Sequence, residues 1–139
     1  MSEQLFLWDR PSLNPVPRVK EAMRQALKSC GLSREHVVDK MNSLARAEGL
    51  STNGKAKSAT ADMLDKWVAD SGEHLIPWKL MPIFCHVVGD ISPLRALTAP
   101  LGADVIDKNE KKLLKLARAE REIKKLQRLK KQIETEINL

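Results

Sequence analysis

The stretch from Ser58 to Ser71, SATADMLDKWVADS, decides how this chain is read. Leu64, Trp67 and Val68 stand at the i, i+3, i+4 spacing that puts three side chains on one stripe of a helix. Thr60, Ala61, Asp62, Asp65, Lys66 and Ala69 then face away from the core, and the hydroxyl of Ser58 or Thr60 is placed to cap the first turn. A short helix with its inner face locked in a bundle and its amino end open can be presented to a partner. The DNA major groove admits such a helix, and base edges are read by its first outward side chains. The same pattern also describes a plain amphipathic core helix, so the flanking chain has to choose between the two.

Residues 1–16, MSEQLFLWDRPSLNPV, hold Pro11 and Pro15 with Pro17 close behind, which predicts an extended arm. Its Leu5, Phe6, Leu7 and Trp8 are expected to pack across the domain or a dimer partner, with a docking peptide as the alternative. A first helix opens at Pro17 and runs through Val19, Met23, Ala26, Leu27 and Cys30 to a stop at Gly31. Its other face carries Arg18, Lys20, Arg24 and Lys28, read as solvated. A second helix, capped by Ser33, runs through Val37, Val38, Met41, Leu44 and Ala45 to Gly49, with Arg34 and Lys40 outside. The segment GLSTNGKAKS then reads as a polar surface loop. Its Lys55 and Lys57 fall just before the presented helix, where a phosphate backbone would pass.

Beyond Gly72 the two prolines of EHLIPWKLMPIFCHVVGD predict an irregular start at Pro77 and a regular helix from Pro82 to Val88, stopped by Gly89. Cys85 should point inward and its neighbour His86 outward. Ser92 as a cap and Pro93 in the first turn open a fifth helix through Leu94, Leu97 and Leu101 to Gly102. Residues 17–103 thus read as a five-helix, all-α bundle.

The chain changes character at Asp107. Asp107 and Glu110 have capping-box spacing, and the stretch that follows lacks Gly and Pro and is rich in strong helix formers. Leu116, Ala119, Ile123, Leu126, Lys130, Ile133 and Ile137 alternate three and four apart, the seam of a coiled coil. Residues 107–139 are therefore expected to form an oligomerisation helix pairing two copies, in preference to a helix folded back on the bundle. Lys130 inside the seam would weaken pairing while fixing its register or strand number. The periodicity is compatible with parallel and antiparallel pairs alike.

Composition narrows the class. Aromatic residues are 4% and Tyr is absent, so the core must be aliphatic and Met-rich, which suits helices, and no useful strand alternation appears. No apolar run approaches the roughly 18 residues a membrane span needs, and Glu3 and Asp9 flank the short LFLW run, unlike a signal peptide. Cys30 and Cys85 lie in apolar-periodic stretches and read as buried thiols, so a cytoplasmic location is expected. The net charge of +6 includes eleven Lys and Arg against six Asp and Glu from Asp107 onward, a distribution that allows a polyanionic partner. His36, His74 and His86 are scattered, Cys85-His86 lacks ligand spacing, and Gly54-Lys55 lacks the rest of a phosphate loop. No catalytic residue, metal site or cofactor is expected, and the chain is not read as an enzyme.

Taken together, SREHVVDKMNSLA, the helix with Leu64 and Trp67, MPIFCHVVGD and SPLRALTAPLG resemble the lambda-repressor and Cro-like helix-turn-helix family. The ending PIFCHVVGDISPLRALTAPLG looks most like regulatory proteins of temperate and Mu-like transposable phages. The resemblance covers about residues 33–102. It implies base reading by Thr60, Ala61, Asp62 and Lys66, and backbone positioning by Arg34, His74 and Lys79. The connection from Gly49 to Ser58 is longer than the family's tight turn, and Asp62 and Asp65 set negative charge on the reading face. The function so implied is a dimeric, sequence-specific regulator that binds double-stranded DNA. Its rival is a non-enzymatic interaction or assembly protein with the same fold, whose partner would be a phage or host protein.

Overall fold

The computed structural model describes residues 12–50 and 59–138. Among them every regular element is helical and no strand occurs. The chain divides into two compact units, one ending at Asp104 and the other beginning at Val105.

The first unit contains α1 (Val16–Ser29), α2 (Arg34–Ala47), α3 (Ala61–Val68), α4 (Met81–Val88) and α5 (Ser92–Thr98). Single 3-10 turns precede α4 (Trp78–Leu80) and follow α5 (Ala99–Leu101). Its core is built from Met23, Leu27, Val37, Met41, Leu64, Leu80 and Phe84, all buried. α1 packs along α5, and α2 along α4, while α3 touches both α1 and α2. The helix stops match the expected glycines; at Gly89 and Gly102 the backbone is left-handed, with φ of 70° and 69°, where a residue with a Cβ is strained.

Several expectations need correction. α1 starts at Val16, one residue inside the segment read as an arm, with the Val16 amide donating to Asn14 Oδ1 at 3.1 Å. The presented helix is shorter than its sequence stretch, because Ala69 is already extended at φ −67°, ψ 154°. Ser92 does not cap α5: it is the first residue of the helix, and Asp90 Oδ1 accepts from its amide at 2.8 Å and from its hydroxyl at 2.6 Å. Leu97 and Leu101 are exposed, and Pro93 is the buried residue of α5. Cys30 is half-buried, whereas Cys85 is buried as expected and His86 is exposed. The arm's first eleven residues, and Lys55 and Lys57, lie outside the described residues.

The second unit is dominated by α6 (Lys108–Ile137). At 1.5 Å per residue its 30 residues extend about 45 Å. The Asp107 carboxylate accepts from the Glu110 amide at 2.8 Å while Glu110 Oε1 accepts from the Asp107 amide at 3.4 Å, the reciprocal capping box. No residue of α6 is buried, the seam residues included.

Candidate functional site

α3 is eight residues long, too short to hold its own shape in water. Three sets of contacts keep it. Inside, Leu64, Trp67 and Val68 are buried, as the spacing predicted. At the amino end Thr60 Oγ1 accepts from the Met63 amide at 3.2 Å. Just before it, the buried Asn42 of α2 grips Ala59: its amide nitrogen donates to the Ala59 carbonyl at 2.9 Å, and its Oδ1 accepts from the Ala59 amide at 2.8 Å. One side chain thereby satisfies both backbone groups of the residue leading into the cap.

The carboxyl end is held from α1. Lys20, only 3% exposed, donates from Nζ to the carbonyls of Lys66 at 3.2 Å, Trp67 at 3.0 Å and His74 at 2.7 Å. An ammonium has three N–H donors, so all of them can be used here. The carbonyls of a last helical turn have no partner within the helix and attract a cation. Burial, and then the neighbouring Arg24 charge, hold the Lys20 pKa below its ordinary value. Arg24 donates to the Val68 carbonyl, binds Glu21 on its own helix, and reaches Asp70 at 3.1 Å. The face of α1 read as solvated is therefore partly a clamp: Lys20 and Arg24 are committed to the end of α3.

Most of the residues read as outward are exposed. Thr60, Asp62, Asp65 and Lys66 are exposed and Ala61 is half-buried. Arg34 joins this face from the start of α2, where it forms an ion pair with Asp65 and offsets one of its two carboxylates. His74 contributes its backbone carbonyl to Lys20 while its residue is exposed. Lys79 is not part of the group; it lines a depression with Leu44, Glu48, Leu50 and Ile83, and no residue of α3 lines it.

Lys20 and Asn42 are the positioning residues that the sequence reading passed over, although a signal was present. Lys20 lies four residues after Val16 and three before Met23, and Asn42 lies four after Val38 and three before Ala45. Each is a polar residue on an apolar stripe, a place where burial requires polar partners.

A separate apolar groove of about 390 Å³ is lined by residues including Val16, Val19, Trp67, Leu75, Trp78 and Leu97. Trp78 on its rim is 87% exposed, an unusual position for so large an apolar ring. Cys85 is the other notable group, but burial, and then the Asp90 charge, push its thiol up to about 11. Its nucleophilic form is thus disfavoured. Among the described residues no group of three or more His, Cys, Asp or Glu could hold a metal ion, and no helix is long and apolar enough to cross a membrane. No family model, curated protein or solved structure matches the chain.

Proposed function

We propose that this protein is a sequence-specific DNA-binding regulator of phage or prophage type. In this reading α2 and α3 act as a helix-turn-helix and α3 enters the major groove. The observation that carries it is the way α3 is held: a very short helix clamped at both ends, with the residues of its first turn turned outward. Groove reading needs that arrangement, because contacts to base edges have value only when the helix cannot tilt or unwind. Thr60, Ala61, Asp62 and Lys66 are the base-facing candidates. Asp62 suits cytosine N4, and Arg34, released from its exposed pair with Asp65, suits a phosphate. Lys55 and Lys57 add positive charge in the connection between α2 and α3. Pairing of two copies through α6 raises the affinity of two weak heads by effective concentration.

The test is a titration of the purified protein against a pool of random duplexes at two salt concentrations. Enrichment of one two-fold symmetric motif is the expected result. Binding that is absent, or equal for all sequences and abolished by moderate salt, would sink the proposal.

The groove beside Trp78 favours a second reading, an interaction or assembly protein that keeps this fold without reading DNA. Exposed large apolar surface of this kind marks protein contact sites. Absence of motif enrichment by the parent, together with capture of a phage or host protein that Trp78→Ser abolishes, would favour it.

A further inference from the structure

The stripe on α6 formed by Leu116, Ile123, Leu126, Ile133 and Ile137 is exposed along its whole length. We propose that it is covered by α6 of a second copy running in the opposite direction, in the register that sets Leu116 against the partner's Ile133. The proposal rests on the α6 pairing invoked above and is independent of DNA contact.

The residues of the seam decide the direction. Its alternating spacing makes two sets, one of positions 116, 123, 130 and 137 and one of positions 112, 119, 126 and 133. In a parallel pair each position meets its own copy. Lys112 and Lys130 would then each lie against an identical charge, and Ala119 against a second alanine, leaving two repulsive layers and one underfilled layer. In an antiparallel pair the two sets face each other. Leu116 meets the partner's Ile133, Ile123 meets the partner's Leu126, and Lys112 lies along the partner's Ile137. The long Lys130 crosses the small Ala119 of the partner, with room for its stem to lie along the seam and its ammonium to reach solvent. Within its own helix Lys130 Nζ lies 3.9 Å from Glu134 Oε1, so that charge keeps a neighbour at the seam edge.

The flanks fix the register. With Leu116 opposite the partner's Ile133, Lys115 faces the partner's Glu136, and the two-fold axis makes this pair twice. The other flanking contacts are Glu120 with the partner's Gln127, Glu122 with the partner's Leu129, and Glu134 with the partner's Leu113; none joins like charges. A slip by one heptad sets Glu122 against itself in one direction and against the partner's Glu136 in the other. A parallel pair also gains an attractive contact, Lys115 with the partner's Glu120, so orientation is decided by the seam and register by the flanks. In the antiparallel pair the two Lys108 residues stand about 50 Å apart, given 1.5 Å per residue.

The experiment is sedimentation equilibrium of the full chain without DNA, on Lys115→Glu, Glu136→Lys and the double variant. Each single change should weaken the dimer by about tenfold, since two attractive pairs become repulsive, and the double variant should recover to within about twofold of the parent. In a parallel pair Lys115→Glu faces Glu120 and gains nothing from Glu136→Lys, so absence of rescue overturns the proposal. Crosslinking supplies an independent readout in a Cys30→Ser background. Oxidation of mixed Leu116→Cys and Ile133→Cys chains should give a disulfide between the two kinds of chain, while Leu116→Cys alone should give none. A Leu116→Cys homodimer would establish the parallel form instead. A chain that is monomeric at all concentrations overturns the pairing itself, whereas a dimer that ignores DNA overturns only the DNA reading.

Discussion

α3 and α6 are helices made by opposite means. α3 has eight residues, no self-sufficient length, and carboxyl-end carbonyls that are held by a lysine 46 and 47 positions away. α6 has 30 residues, a capping box made from its own first turn, and no buried residue. The helix proposed to meet a partner through a few polar side chains is thus fixed by distant parts of the fold. The helix proposed to meet a second copy needs only its own sequence to form, and offers an apolar stripe in place of a rigid site. Rigidity is required where recognition depends on a few directional contacts, whereas a long seam tolerates local adjustment.

The largest test of this contrast is Lys20→Met, which keeps length and removes the donors. Leaving buried carbonyls of α3 and the following loop unpaired should cost about 2–3 kcal/mol. In chemical denaturation the first unit should unfold earlier while the helical signal of α6 persists; equal stability would mean that the clamp is not what holds α3. Asn42→Ala acts at the other end and should cost about 1–2 kcal/mol through the lost pair of bonds to Ala59. Amide hydrogen exchange at Ala59 reports it directly, and unaltered protection there would show that α3 is anchored by its apolar face alone.

Asp90→Ala removes both bonds to Ser92 at the start of α5 and should cost about 1 kcal/mol. The Ser92 hydroxyl, and then the Ser92 amide, hold the Asp90 carboxyl below the ordinary aspartate value of 3.8. A depressed carboxylate stabilises the fold fully above the unfolded value and loses that contribution as pH falls through the folded one. The difference between parent and Asp90→Ala should therefore be constant near neutral pH and shrink below about pH 4. A difference that grows on acidification would contradict the assignment. The smallest effect belongs to the exposed Arg34–Asp65 pair, whose coupling in a double-mutant cycle should stay under about 1 kcal/mol and fade with salt. A coupling well above that would make the pair part of the clamp and Arg34 a poor phosphate contact.

Much of this organisation was legible in the residues. The Leu64, Trp67 and Val68 stripe, the Ser33 and Thr60 caps, the glycine stops and the Asp107–Glu110 box all depend on neighbours within about one turn, and each is found as read. What escaped were the partners of Lys20, Asn42 and Asp90. A lysine among basic residues looks solvated until the chain folding over it is known, and a serine before a proline looks like a cap until it is found as the first helical residue, bonded to the aspartate ahead of it.

The sequence by itself determined that the described chain is helical, roughly where its helices lie, and which face of α3 turns inward, because periodicity and capping are local. Only the tertiary structure decided that α3 is gripped from α1 and α2, that Arg34 meets Asp65, and that Leu97 stays exposed. Those outcomes depend on which groups lose water together, and that is set by contacts between residues far apart in the chain.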